Sequence, residues 1–162
     1  MQDITAEIQA EINSMMDEIC EATSEIIVEE ATEYYKERFE KKEWDGQPWQ
    51  PAKRAKKSGS LLIQSSQLVN SIRPTVATKE RVVIATVGGV VNQYARAHNE
   101  GFDGDVNIGS FTRTVKGKTQ TVKAHTRHQR IPKRQFMGQT DELDQRIEAR
   151  IANYIESIIT NE

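Results

Sequence analysis

The chain opens with an acidic stretch in which no glycine or proline precedes Gly46. Glutamates separate apolar residues that recur mostly every three or four positions, a pattern typical of an amphipathic helix: Ile4, Ile8, Ile12, Met15, Ile19, Ala22, Ile26, Tyr34 and Phe39. A helix of about 40 residues is about 60 Å long. A compact domain of 162 residues is only about 40 Å across. The helix must therefore break, project or pack on another chain, and the β-branched residues of 23–28 form its expected weak point.

Charge divides the chain into three segments, although the net charge is only −2. Residues 1–43 carry 13 acidic and 4 basic side chains, residues 44–138 carry 5 and 16, and residues 139–162 carry 6 and 2. Three explanations are open: neutralisation within one fold, opposition between neighbouring subunits, or a polyanionic partner. We expect one domain over 1–162, formed by an acidic helix (1–43), a basic β-rich body (44–138) and a C-terminal helix (139–162).

The basic body contains two predicted hairpins. Residues 73–78 and 81–89 are rich in β-branched residues and predict the first. The second surrounds Gly117, and its strands are polar on both faces, so 102–128 is expected to project as an arm. A short helix capped by one of the serines is expected at 65–72. Residues 90–101 predict either a short helix or an irregular crossover closed by Gly101. The fold class is therefore α+β: an antiparallel sheet of about four strands packed by the long N-terminal helix and the C-terminal helix, with a projecting polar hairpin arm.

Both tryptophans of the chain fall in one irregular stretch, WDGQPWQPAKR, residues 44–54. Asp45, Gly46 and Pro48 favour a turn that ends the acidic helix. Each indole can bury about 200 Å², enough to hold irregular backbone in place. Trp44 and Trp49 therefore serve either as core residues under a loop or as anchors of an interface.

Composition also limits the class of protein. With 36% apolar and 28% charged residues, the chain fits a globular domain. It has a single cysteine, Cys20, so no internal disulfide is possible. No apolar run is long enough for a transmembrane span, and no secretory signal is recognisable. We therefore expect the protein to begin in the cytoplasm, without a membrane partner.

No motif for catalysis, cofactors or metals stands out. His125 and His128 form H-x-x-H, but the surrounding basic residues and the missing third ligand favour a solvated arm over a zinc site. His98 is either an acid or base beside Glu100 or, preferably, a residue at a helix end. The sequence contains no G-x-S-x-G elbow and no P-loop. We expect no enzymatic activity, no cofactor and no metal.

The order of several short motifs resembles the phage virion morphogenesis family, which includes tail completion proteins of contractile-tailed phages. The motifs are WDGQPWQP (44–51), GSLLIQSSQLVNSI (59–72), YARAHNEG (94–101) and IPKRQFMG (131–138). In the second motif, Ser66 stands where the family often has glycine. The resemblance covers nearly the whole chain and implies a structural protein of the virion.

The resemblance implies that the protein completes the tail or joins it to the head, as a homo-oligomeric ring in contact with other tail or neck proteins. It would be found in the virion tail or neck, and in the bacterial host cytoplasm during assembly. The suspected interface or anchor residues are Trp44, Trp49, Phe111, Arg134 and Phe136. The alternative is a non-specific DNA-binding accessory protein, whose phosphate contacts would come from basic residues of the body: Lys53, Arg54, Lys56, Lys57, Lys116, Lys118, Lys123, Arg127, Arg130, Lys133 and Arg134.

Overall fold

A computed structural model describes residues 2–52 and 59–160. It confirms the α+β class, with a long helix at the N-terminus and another at the C-terminus. The elements in chain order are α1 (Gln2–Lys41), β1 (Glu43–Trp44), β2 (Gln47–Pro48), α2 (Gln67–Ser71), β3 (Ile72–Thr78), β4 (Arg81–Thr86), α3 (Gly89–Glu100), β5 (Phe102–Ile108), β6 (Phe111–Val115), β7 (Lys118–Val122), β8 (His125–Ile131) and α4 (Asp141–Thr160).

The first helix is continuous over its 40 residues. Of the three alternatives, a break does not occur, even at the weak point of residues 23–28. Ile26 is buried there, and burying an isoleucine side chain gains about 1.5–3 kcal/mol, more than the tenths of a kcal/mol that a β-branched residue costs in a helix. Residues 4–18 are all exposed. The N-terminal part of α1 therefore projects from the rest of the described structure.

The C-terminal helix packs antiparallel to the second half of α1. Arg146 Nη1 lies 3.2 Å from Glu37 Oε1, and Arg150 Nη1 lies 2.7 Å from Glu30 Oε1, so the partner on α1 moves backwards as α4 advances. Arg150 also pairs with Glu29. These cations come from a segment with a net negative charge, and they balance part of the negative charge of α1.

The strands are antiparallel, but they form pairs instead of one sheet of about four strands. The described pairs are β1 with β2, β3 with β4, β5 with β8, and β6 with β7. The hairpin of β3 and β4 lies along α1, and an exposed ion pair of 3.2 Å joins Lys79 Nζ at its tip to Asp17 Oδ1. The arm strands have little apolar surface, so joining them to β3 and β4 would bury too little area to offset the ordering.

The predicted arm is present and slightly longer than expected. Its base pairs Phe102 with Ile131, and its tip pairs Val115 with Lys118. It therefore ends at residue 131 rather than 128. Both turn residues, Lys116 and Gly117, have positive φ, which fits the tight turn of a two-residue hairpin loop. Every residue from 109 to 121 is exposed.

Two clusters of buried side chains hold these elements together. One unites residues of α1, the Trp stretch, α2, β3, α3 and the segment before α4: Phe39, Trp49, Leu68, Ile72, Ala95 and Phe136. The second joins α1 to α4 through Ala31, Tyr34 and Leu143. Among the described residues, no helix is both long and apolar enough to cross a membrane.

Candidate functional site where the sequence motifs meet

The first motif folds into a tight turn directly after α1. Lys42 ends the helix in a left-handed conformation with φ 57°. Asp45 and Gly46 follow with φ 49° and 70°, the positive values that a type I′ turn requires at both central positions. The Trp49 N–H then donates to the carbonyl of Lys42 at 2.7 Å and closes the loop. The turn predicted from Asp45 and Gly46 is confirmed.

Trp49 lies in the larger cluster and fixes the turn to the C-terminal part of the body. Its ring is buried and meets Phe39 edge to face, with ring centroids 5.6 Å apart. Its Nε1–H donates to the carbonyl of Gln135 at 2.7 Å. Within the chain, Trp49 thus has the role of a core residue under a loop.

Trp44 is half-buried beside the same segment. Its ring stacks on Tyr35 with centroids 6.3 Å apart and meets Tyr34 edge to face at 6.1 Å. A Cβ added to Gly138 would lie 3.2 Å from Cζ2 of this indole, closer than most real contacts. Gly138 also has φ 154°, so both the space and the backbone favour glycine there.

Arg134 is buried and links two motifs through backbone carbonyls. Its Nε donates to the carbonyl of Gln50 at 2.8 Å, and its Nη2 donates to that of Pro51 at 3.3 Å. Its backbone N–H donates to the carbonyl of His98 in the last turn of α3 at 2.7 Å. Burial lowers the pKa of the guanidinium, but an arginine remains charged in proteins. Through these contacts Arg134 holds the chain after Trp49 in place.

Asn99 joins α3 to the IPKRQFMG motif, a role that the sequence did not indicate. Its Oδ1 accepts hydrogen bonds from the backbone N–H groups of Phe136 at 2.9 Å and Met137 at 3.0 Å. Its Nδ2 donates to the Met137 carbonyl at 3.2 Å. Phe136 is thereby directed into the core, where its ring centroid lies 4.9 Å from that of Phe39.

The GSLLIQSSQLVNSI motif adds Leu68 and Ile72 to this cluster. Ser66 precedes α2 with φ 56° and makes no side-chain cap, so the expected cap by one of the serines does not form there. A left-handed conformation suits glycine best, which explains the glycine often found there in the family. Gly59 has φ 76°, and a Cβ there would lie 2.4 Å from the Ile63 carbonyl oxygen.

The structure brings four of the five suspected anchor residues to this one region: Trp44, Trp49, Arg134 and Phe136. Phe111 is separate, on the arm tip, and is 45% exposed. The buried members stabilise the chain's own fold, and their interface role stays a prediction. Phe111 has the exposure that an intermolecular contact requires.

The buried hydroxyl of Tyr34 also joins two elements, α1 and α4, and the sequence did not indicate this role. Tyr34 is fully buried, and its hydroxyl donates to Glu142 Oε2 at 3.1 Å and accepts from Thr140 Oγ1 at 3.0 Å. Burial raises the pKa of Tyr34. The Arg38 guanidinium lies 4.0 Å from the centre of the Tyr34 ring and 3.4 Å from Glu142. Glu142 and Thr140 lie more than 100 residues from Tyr34 in the chain, so no local sequence pattern predicts these contacts.

The H-x-x-H motif does not form a metal site in this structure. A strand alternates its faces at each residue, so His125 and His128 of β8 point to opposite sides. His128 contacts Asp103 at 2.9 Å and Asp105 at 3.0 Å, and His125 contacts the carbonyl of Lys123. Within 2–52 and 59–160, no group of three or more metal-ligating side chains occurs.

The basic residues proposed for DNA contact are divided between the arm and an undescribed segment. Exposed members on or beside the arm are Lys116, Lys118, Lys123, Arg127, Arg130 and Lys133. Lys53, Arg54, Lys56 and Lys57 lie outside the described residues. Arg134 is buried and donates to carbonyls, so it is not available to a phosphate.

Comparison with known proteins agrees with the motif order. The family model described as the phage virion morphogenesis family matches residues 2–156 of the chain. No curated protein and no solved structure gives a significant match. The match spans all four motif segments, whose buried residues meet in one core. The chain therefore belongs to the phage virion morphogenesis family.

Proposed function

We propose that the protein is a structural, non-enzymatic component that completes the phage tail or its junction with the head. It acts as one subunit of a homo-oligomeric ring, in contact with other tail or neck proteins. Membership of the family supports a virion-associated role in phage morphogenesis. The signature motifs support a structural role, because their buried side chains are engaged in holding the fold.

The observation that carries the proposal is the exposed N-terminal part of α1. Ile4, Ile8 and Ile12 repeat every four residues on one side of the helix and are 61%, 52% and 48% exposed. Their regular spacing forms a continuous stripe, whereas the exposed apolar residues of most surfaces are scattered. In the described part of one chain this stripe is exposed to water, so we expect another chain to cover it.

The arm supports the same conclusion independently. A two-stranded hairpin is at best marginally stable in water unless it packs on something else. The strands of the arm tip are exposed on both faces in the single chain. Packing against subunits or tail proteins would supply the missing contacts.

The decisive experiment removes the coding gene from the producing phage and examines the particles by electron microscopy. We expect filled heads and separate tails, and complementation with the wild-type gene restores joined virions. Ile8→Asp should fail to complement, because a carboxylate interrupts the apolar stripe. Ala10→Asp is the matched control, since residue 10 lies about 200° around the helix from residue 8 and is exposed. Joined, infectious virions from the deletion phage would refute the proposal.

Non-specific DNA binding remains the alternative, and the exposed cations of the arm favour it as a second function. A protein that neutralises several phosphates loses affinity steeply as salt rises. Monomers that bind duplex DNA with such a salt slope, together with normal head-tail joining in the deletion phage, would establish DNA binding instead of tail completion.

A further inference from the structure

The arm tip is a β-ribbon with two chemically different faces. Cross-strand pairs Thr112 with Thr121 and Thr114 with Thr119 line one face. The pairs Phe111 with Val122, Arg113 with Gln120, and Val115 with Lys118 line the other, which we call the tip face. Phe111 and Val115 are 45% and 40% exposed. The tip face therefore combines apolar surface with two cations.

The exposed N-terminal part of α1 has the complementary arrangement. Its stripe of Ile4, Ile8 and Ile12 is bordered along one edge by Glu7 and Glu11, which are also exposed. We call these five residues the helix stripe. No lysine or arginine precedes Lys36, and no acidic residue occurs between residues 106 and 140. The two surfaces thus have opposite charge around their apolar centres.

The two surfaces also match in length. At 1.5 Å per residue, Ile4 and Ile12 lie about 12 Å apart along the helix. At about 3.3 Å per residue, Phe111 and Val115 lie about 13 Å apart along their strand. Apolar side chains at both ends of one surface can therefore meet apolar side chains at both ends of the other.

We propose that the tip face of one copy docks on the helix stripe of a neighbouring copy. The proposal rests on the homo-oligomer of the proposed function and names the contact that builds it. In the described structure a chain's own arm leaves its own helix stripe exposed, so the two surfaces are free at the same time. Every copy of the chain has one helix stripe and one tip face, so the two surfaces occur in equal numbers. The basic tip face of one copy also has the charge opposite to that of the acidic helix stripe of another.

This contact joins two different surfaces of the same chain. A head-to-tail contact of that kind repeats from subunit to subunit and closes a ring when the rotation allows it. Each subunit then docks its own arm on one neighbour and binds the arm of the other neighbour. The acidic helix of one subunit then lies against the basic arm of its neighbour. The segregated charges of the sequence are therefore opposed between neighbouring subunits.

The test uses single-cysteine variants of the full chain in which Cys20→Ala removes the native thiol. Ile8→Cys and Val115→Cys proteins are purified separately with different tags, mixed, and oxidised mildly. We expect the mixed disulfide dimer to exceed both same-variant dimers several-fold. The matched control pair is Ala10→Cys with Thr114→Cys, because these residues lie on the opposite sides of the helix and of the ribbon. A mixed dimer no more abundant than in the control pair would overturn the proposal.

Charge reversal provides a second measurement. Glu7→Lys with Glu11→Lys should weaken assembly about tenfold, because repulsion replaces attraction at the docking contact. Adding Arg113→Glu and Lys118→Glu to the same chain should restore it. Circular dichroism verifies that each variant is folded, and loss without restoration contradicts the docking.

Native mass spectrometry of the same samples separates the two proposals. A closed ring without the specific cross-link means that the helix stripe and the tip face do not form the contact between subunits. The proposed ring itself would then still be supported. Monomers alone, in solution and in virions, refute the ring and the docking together.

Discussion

Replacing Asn99 by alanine tests whether the motif segments depend on one another. The substitution removes the oxygen that accepts from the backbone N–H groups of Phe136 and Met137, and it removes the donor to the Met137 carbonyl. All three hydrogen bonds are partly buried, so water replaces them incompletely. The segment that directs Phe136 into the core then loses its attachment to α3.

The expected cost follows from these contacts. A typical hydrogen bond contributes about 0.5–1.5 kcal/mol, and leaving a buried donor unpaired costs about 1–3 kcal/mol. Allowing for partial access of water, we expect Asn99→Ala to lower the free energy of unfolding by about 2–3 kcal/mol. This is a large fraction of the roughly 5–15 kcal/mol that stabilises a typical domain. The melting temperature should fall by about 4–12 °C, at about 2–4 °C per kcal/mol for a chain of this size.

Urea unfolding followed by circular dichroism, together with a thermal scan, measures the effect. Asn99→Asp keeps an acceptor for the two N–H groups but loses the donor, so its loss should be about 1 kcal/mol. Asn153→Ala is the matched control on the exposed side of α4 and should change stability by less than about 0.5 kcal/mol. If Asn99→Ala also stays within about 0.5 kcal/mol of the wild type, the reasoning about this junction is refuted.

Three further substitutions test other parts of the structure. Trp49→Phe should cost about 1–3 kcal/mol in urea unfolding, because the Gln135 carbonyl loses its donor; an unchanged midpoint would contradict this. Burial opposes ionisation of Glu37, but Arg146 outweighs it and lowers the pKa of that carboxyl. Stability from Glu37 is therefore present above pH 4.3 or so and is lost as pH falls through the folded-state value. Glu37→Gln should cost up to about 1 kcal/mol at pH 7, and the difference from wild type should vanish in acid; a constant difference would exclude this ion pair as its source. Ser66→Gly should raise stability by up to about 1 kcal/mol by relieving the left-handed backbone, and a destabilised Ser66→Gly would show that the hydroxyl matters.

Elements governed by local pattern were predictable. The absence of glycine and proline before Gly46 and the spacing of apolar residues gave α1, and the polar pair Lys79 and Glu80 marked the turn between β3 and β4. Gly117 marked the tip of the arm. In each case the deciding interactions lie within a few residues of each other in the chain.

The junction of the motifs was only partly predictable. The two tryptophans were expected to be either core residues or interface anchors, but their partners could not be named. Asn99 and Tyr34 were overlooked, because a polar residue in a helix reveals nothing of a partner that lies tens of residues away. Whether the helix would break at residues 23–28 or project could not be decided for the same reason, since burial of Ile26 depends on elements distant in sequence.

By itself, the sequence determined the secondary elements, the separation of charge and the family, because these depend on local backbone preference and on residue order. Only the tertiary structure decided that α1 is continuous and leaves Ile8 exposed, and that the strands form pairs. It also decided that Trp49 and Asn99 both contact the segment before α4. Those outcomes depend on which surfaces find a partner within the chain. The helix stripe and the tip face are among the surfaces that stay exposed within the described part of one chain.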